Sequence, residues 1–369
     1  MSTNEALHKA LSTCLERSLT FAAFRTPGKP AQIWAQRTPE LEGVQGTLLL
    51  GLNQVFLVAP FLLDHGNIPF IRADVELMFA EIDPDITPLD GCMGAPQGWR
   101  TADAPTSREA FTGAVQAAAQ ACAQRRLDKV VLSRVVEAPI TPQQWPALFL
   151  QAMTESPDAF VAMVHTPAHG TWMGASPERL VHEESDHVRV DAIAATRPVN
   201  AVPERLSAWG LKELDEHEQV VTHVHGTFAR MDLANITVRG PGVLRAGPVA
   251  HLHTVADADL ADTLLGDLVL ALHPTPAVCG SPTGEARQFI AAHEQHDRSL
   301  YTGFWGPWNA DGPTDIFVNL RCMRLADGRS QLLVGAGITA GSDAAMEWEE
   351  TARKAQTWLR LMETSPARN

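Results

Sequence analysis

The sequence predicts a mixed α/β fold with large, mainly antiparallel sheets and helices on the outside. In the first third, apolar extended runs follow one another with prolines and glycines between them, the pattern of strands joined by short turns. Later, helical periodicities are dispersed among further strand-like runs, which adds outer helices to those sheets. With 369 residues, 45% of them apolar, the chain has material for one large sheet-based core or for two domains.

A short amphipathic helix is expected over Glu5 to Ser18. Strands follow at Thr20 to Arg25, Gln32 to Gln36, Thr47 to Leu52, Val55 to Leu63 and Ile68 to Met78. Pro84 to Pro105 is rich in proline and glycine and reads as a loop between parts of the fold. Ser107 to Arg126 is helical, with Phe111, Val115 and Ala118 at helical spacing, and leads into a strand over Lys129 to Glu137. A helix over Pro142 to Thr154 and strands at Ala159 to His165, Thr171 to Gly174 and Val188 to Ala195 come next. The longest helix spans about Glu204 to Asp232. Val243 to Thr254 is extended, Ala261 to Ala271 and Gly284 to His293 are helical, and Phe304 to Trp308 and Asp315 to Leu325 are strands. At the end, Leu332 to Val334 make a buried strand closed by glycines, and Ser342 or Asp343 caps a final helix. Its core stripe is predicted to be Trp348, Ala352, Ala355, Leu359 and Met362, with Glu347, Glu350 and Lys354 stacked on another face.

The net charge of −14 argues against nucleic acid or an anionic membrane as the main partner, since no basic patch offsets it. The five cysteines are odd in number and none is spaced Cys-x-x-Cys, which disfavours a disulfide framework or zinc knuckle and favours a reducing compartment. The N-terminus lacks the basic-then-apolar layout of a signal peptide, and no apolar run reaches the ~18 residues of a membrane span. A soluble cytoplasmic protein is expected.

Two helices carry a Glu-x-x-Glu step: Glu213 and Glu216 in the long helix, Glu347 and Glu350 in the last. One such face alone is an ordinary solvated surface with a Glu350 to Lys354 pair. Two facing each other would repel strongly unless a cation lay between them, and a hard divalent ion held by few carboxylates plus water suits Mg²⁺. Two other patterns are decoys. Gly335-Ala-Gly337-Ile-Thr-Ala-Gly341 is close to a dinucleotide fingerprint, but its last glycine falls one residue late and no second βαβ half follows. Its closely approaching backbone N–H groups still suit an anion. His293-Glu-Gln-His296 is one residue short of His-Glu-x-x-His and reads as polar surface. Cys279 reads as a small buried packing residue.

Six segments taken in order carry a family resemblance: Lys129-Val-Val-Leu-Ser-Arg134, Ser176-Pro-Glu178-Arg-Leu, Ala194-Ala-Thr-Arg197-Pro, Glu213-Leu-Asp-Glu216-His217, His273-Pro-Thr-Pro-Ala-Val-Cys-Gly-Ser-Pro282, and the closing glycine segment with Glu347-Trp-Glu-Glu350-Thr. Together they resemble the chorismate-utilising enzymes over roughly Ser107 to Arg360, and most of all the members that make isochorismate for catechol siderophores. The resemblance implies a single large α/β domain over 1–369, of two stacked antiparallel sheets with helices outside, in which 1–105 is strand-rich and 106–362 carries the motifs. It implies Mg²⁺-dependent isomerisation of chorismate, with no amidotransferase subunit. The family's metal glutamates fall on Glu216 and Glu350, with Glu213 and Glu347 as direct or water-mediated partners. Its general base falls on Lys129 and its general acid on Glu178. Arg321 matches the arginine that holds the enolpyruvyl carboxylate, with the Gly335 to Gly337 backbone beside it; His251 matches a pocket histidine, Lys354 lies near the metal-bound carboxylate, and Ala195 and Thr196 lie beside the ring.

Adding water at C2 while the C4 hydroxyl leaves needs a base on one face, an acid on the other and a cation to absorb charge. Lys129 can serve only when neutral and Glu178 only when protonated, and burial favours both states. The chain departs from the family's pattern at Ala195, where glycine is usual, at Leu214, where an arginine is common, and at Gln295 and His296, which replace Pro-Phe. The competing reading within the family is a salicylate synthase, which adds pyruvate elimination. Outside it stands a non-catalytic carboxylate- or nucleotide-binding protein.

Overall fold

Apolar extended runs, buried on both faces in strands such as Val55–Ala59 and Phe160–Thr166, build two antiparallel sheets, each of nine strands among the described residues. The computed structural model describes residues 3–95, 103–203, 205–246, 249–310, 312–326 and 328–364, without the side chains of Thr196, Pro198, Lys212, Ala246 and Val249. The first sheet runs in the spatial order Gly280–Ser281, Lys129–Ala138, Arg329–Ile338, Cys322–Ala326, Gly170–Ser176, Phe160–Thr166, Phe21–Arg25, Ala31–Ala35 and Val75–Phe79. The second runs Ala234–Ala246, Val249–Asp259, His187–Pro198, Arg179–Glu184, Thr314–Val318, Phe304–Trp308, Val55–Ala59, Asn67–Arg72 and Glu42–Gln45. Strands of the N-terminal third thus complete both sheets.

The sheets pack face to face on an aromatic layer. Phe24 and Phe160 from the first meet Phe56, Trp305 and Phe317 from the second, and the rings of Phe160 and Phe317 stack with centroids 4.2 Å apart. Helices Thr3–Glu16, Trp145–Glu155 and Ala344–Thr364 cover the first sheet's outer face. Helices Leu211–Arg230 and Leu265–Leu272 cover the second's. Helices Arg108–Ala123 and Thr283–His293 close the end of the first sheet near Lys129 through Phe111, Val115 and Ile290. The five cysteines are buried and free. Among the described residues no helix is long and apolar enough to cross a membrane.

Several expected elements are redrawn. Thr47 to Leu52 is a 3₁₀ turn, Gly46–Gly51, because Gly46 packs directly on Gly266, where a side chain at either glycine would strike the other's backbone. Ile68 to Met78 is two strands with a turn between, and Val243 to Thr254 is the middle of a long hairpin. Strands Glu42–Gln45 and Arg179–Glu184 were not legible. The long helix starts at Leu211. Of the loop expected over Pro84 to Pro105, Thr87–Gly91 form a 3₁₀ turn and residues 96–102 lie outside the description.

Two corrections bear on the site. The closing glycines are not a turn: strand Arg329–Ile338 runs straight through Gly335 and Gly337. A methyl on Gly335 would come within 2.7 Å of the Tyr301 hydroxyl, and one on Gly337 within 2.7 Å of Lys129 Cε, so both glycines make room for inward side chains. On the final helix the fully buried stripe is Glu347, Thr351, Ala355, Trp358 and Leu361; of the expected stripe Ala355 is fully buried and Trp348, Leu359 and Met362 pack half-buried against the core, so the buried face is turned by about one residue and Glu347 faces inward.

Candidate active site

The chain passes between the two sheets at two adjacent crossovers, and each presents one candidate residue. Between Gly170–Ser176 and Arg179–Glu184 it crosses at Glu178; between Thr314–Val318 and Cys322–Ala326 it crosses back at Arg321. The crossovers brace each other: Val318 N donates to Glu178 O (3.0 Å), and Ala175 N donates to Arg321 O (3.1 Å). The Arg321 carbonyl also accepts from Trp358 Nε1 at 2.6 Å. Arg321 has φ +46°, a left-handed conformation at a non-glycine residue that the surrounding bonds must hold.

Lys129 begins strand Lys129–Ala138 and is only 3% exposed. The space above Gly337 holds both its ammonium carrier and a carboxylate: a Cβ there would lie 3.3 Å from Lys129 Nζ and 3.6 Å from Glu216 Oε1. Glu178 is also buried, and its carboxyl is raised to about 8, by burial first, with Lys129 opposing and Asp191 adding a smaller push upward. A carboxyl that stays protonated at neutral pH beside a buried lysine is the arrangement an acid and base pair needs.

On the second sheet His251 Nε2 lies 3.4 Å from Arg321 Nη2. Burial, then Arg321 and Lys354, lower His251 to about 3, so its neutral ring accepts from the guanidinium. Lys354 Nζ donates to Gly335 O at 2.8 Å and pairs with Glu350 Oε1 at 2.8 Å. Glu350 and Glu216 thus reach the same Gly335 to Gly337 stretch from two helices. Two cations, a neutral imidazole and bare glycine backbone are groups of the kind that bind carboxylates.

Glu213 is placed elsewhere. Its carboxylate takes both Arg197 Nε and Nη2 at 2.5 Å and the Gly210 N–H at 2.7 Å, so it caps the helix and holds Arg197, which lies over the Trp209 ring. Among the described residues no group of three or more His, Cys, Asp or Glu is assembled for a metal. The fit therefore rests on Glu216 and Glu350 with Glu347 beside them: oxygen donors few in number, which is how Mg²⁺ is usually held when substrate completes the shell. The side chain of Thr196 lies outside the description.

The family described as chorismate binding enzyme matches residues 93–363. The chain belongs to the chorismate-binding enzymes. It is 34% identical over 205 residues to the isochorismate synthase DhbC of Bacillus subtilis, covering 53% of this chain and 52% of the relative. It is 32% identical over 243 residues to the vibriobactin-specific isochorismate synthase of Vibrio cholerae, covering 63% and 61%. The chain thus spans between half and two thirds of the length of these curated relatives. The crystal structure of a putative 2,3-dihydroxybenzoate-specific isochorismate synthase, DhbC of Bacillus anthracis, superposes with a TM-score of 0.78 at 24% identity, over 97% of this chain and 99% of that one. This likeness shows the fold.

Two departures from the pattern of the chorismate-binding enzymes have visible consequences. Ala195 has φ +55° at a bulge in the pairing of His187–Pro198 with Val249–Asp259, a conformation that costs an alanine about 1 kcal/mol and a glycine little. Its methyl is 7% exposed and packs with Trp209, Leu252 and Leu214, so the unusual alanine and the unusual leucine share one small apolar cluster. His296, expected on a polar surface, is buried with Glu294. Its Nε2 lies 2.9 Å from Ser133 Oγ, and Glu294 accepts from Arg298 Nη2 (2.6 Å) and from Ser133 N (2.7 Å), so this motif ties the Lys129 strand to the neighbouring loop.

Three contributors were not read from the sequence. Asp191 and His253 form a close pair, Asp191 near enough to Glu178 to raise it, and Tyr301 fills the space above Gly335. Asp191 and His253 stand on neighbouring strands, without a motif, and only the sheet register brings them together.

Proposed function

We propose that this chain isomerises chorismate to isochorismate with Mg²⁺ bound, adding water at C2 while the C4 hydroxyl leaves. The observation that carries the reading is the pairing of a buried Lys129 with a buried, proton-bearing Glu178 beside a carboxylate receptor. Exchanging a hydroxyl between two ring positions needs one group to take a proton and another to give one. Lys129 Nζ, neutral, takes a proton from the attacking water as its oxygen bonds to C2. Glu178 gives its proton to the C4 oxygen, which departs as water while the ring double bonds shift. Lys129 is then left protonated and Glu178 ionised, and return of one proton restores both. Arg321 grips the enolpyruvyl carboxylate as a bidentate fork, with His251 orienting the guanidinium. Glu216 and Glu350 would hold Mg²⁺, with Glu347 in support. Bound there, Mg²⁺ supplies positive charge that holds the ring carboxylate and offsets charge developing on the ring. Catechol siderophore or related biosynthesis in the cytoplasm, without an amidotransferase subunit, is the setting we propose.

Incubation with chorismate and Mg²⁺, followed by chromatography and mass analysis, is expected to give isochorismate as the main product. Pyruvate released one for one with chorismate consumed would assign a salicylate synthase instead. Turnover is expected to vanish in excess EDTA and to return with added Mg²⁺; full activity in EDTA would remove the metal from the proposal.

Arg321→Ala is expected to raise KM severely. A dianionic substrate approaching a chain of net charge −14 depends on local cations. A positioned charge-assisted contact contributes about 1.5–3 kcal/mol, or on the order of 10-fold to 100-fold in affinity. An unchanged KM would place that carboxylate elsewhere.

A further inference from the structure

Glu178 and Lys129 present a problem to each other. An ammonium that has just taken a proton draws the proton off a nearby carboxyl, and a lysine near Glu178 at any time favours its ionised form. Burial supplies most of the opposition to that pull, and a nearby negative charge adds to it. The facing side of the second sheet supplies a fixed charge. Strand His187–Pro198 lies beside Arg179–Glu184, the strand that begins directly after Glu178, and their register pairs His182 with Arg189. Asp191, two residues further along, lies nearer the Glu178 end.

Its partner stands on the next strand. His253 is opposite Ile193 and Val255 is opposite Asp191, so the two polar side chains are diagonal neighbours on one face. His253 Nε2 lies 2.7 Å from Asp191 Oδ1, and because a carboxylate only accepts, the ring nitrogen donates. On the opposite face of the same strand Thr254 meets His217 of helix Leu211–Arg230. On the face of Asp191 and His253, His251 meets Arg321, so that face borders the site. The charged groups that act on Glu178 are Lys129 on the first sheet and Asp191 on the second; His253 pairs with Asp191, and His251 and Arg321 lie further along the same face.

We propose that Asp191, held in place by His253, is a positioning residue that keeps Glu178 loaded with its proton against the pull of Lys129. This rests on reading Glu178 as the general acid. Asp191 touches neither reacting carbon; its carboxylate acts only through the field it places on Glu178. Consistently, Asp191 is among the groups that raise Glu178, after burial itself.

The test reads Glu178 directly, without substrate. Isotope-edited infrared titration of ¹³C-glutamate-labelled protein, with the Glu178 band assigned by its loss in Glu178→Gln, gives the midpoint of that carboxyl in the full chain. Asp191→Asn, which keeps shape and hydrogen bonding, is expected to lower the midpoint by about half a unit or more. Asp259→Asn, which removes a half-exposed carboxylate from the neighbouring strand Val249–Asp259, is expected to leave it in place. A midpoint that does not move in Asp191→Asn, or moves equally in both variants, overturns the inference. Melting temperatures of the variants check folding. Product analysis of the unmodified protein stands apart: if it forms no isochorismate, the proposed activity fails while the titration still decides what Asp191 does to Glu178.

Discussion

Replacing Lys129 with glutamine is expected to lower turnover by a factor of about 10²–10⁴, the range for deleting a positioned base, with the fold and substrate binding retained. Lys129 is 3% exposed at the start of a strand hydrogen-bonded on both sides, to Gly280–Ser281 and to Arg329–Ile338, so its backbone is fixed by the ladder rather than by its side chain. Glutamine fits the space that Gly337 leaves open and lacks a basic nitrogen. Arg321, His251 and Lys354 are untouched, so chorismate affinity measured by calorimetry should stay within a few-fold. Near-normal isochorismate formation by Lys129→Gln would remove the lysine from the reaction; a parallel collapse of binding would mean that its role is to attract the substrate.

Why the lysine was legible and other parts were not comes down to where the information lies. Lys129 and the Glu216-His217 pair sit inside regular elements whose periodicity is local, and the six ordered segments carry the family resemblance by themselves. Arg321 and Glu178 were assigned by motif, but their shared geometry was hidden, because a chain crossing between sheets leaves no period to read. Asp315 to Leu325 looks like one apolar strand, and only tertiary pairing divides it at a left-handed arginine. The rotation of the final helix by one residue has a similar origin. Trp348 was assigned to the core on its spacing; it is half-buried, packed against Phe111 with Arg134 3.8 Å over its ring, while Glu347 one residue before it takes the fully buried position. Glu213 illustrates the converse: its Glu-x-x-Glu spacing suited a metal, while its place three residues after Gly210 at a helix start suited a cap, and the cap with Arg197 is what formed.

Glu178→Gln is expected to lose activity by a comparable factor of about 10²–10⁴ while making the protein more stable in mild alkali. Both halves follow from one fact. Burial raises the carboxyl from near 4.5 to about 8 in the folded chain. Between those values the folded state holds a proton that the unfolded state has released, so stability falls as pH rises across that window and levels off above it. Glutamine keeps the size of the group and cannot ionise, so the variant should escape that loss; its melting temperature should exceed that of the unmodified protein at pH 8 and approach it at pH 5. In the unmodified enzyme kcat/KM should decline as pH passes about 8, when the acid loses its proton. Glutamine offers no proton to the leaving hydroxyl, so the variant should show neither the rate nor that decline. An alkaline limb that persists in Glu178→Gln would assign it to another group, and a variant less stable than the unmodified protein at pH 8 would show that Glu178 is ionised and paired in the fold, unfit to serve as the acid.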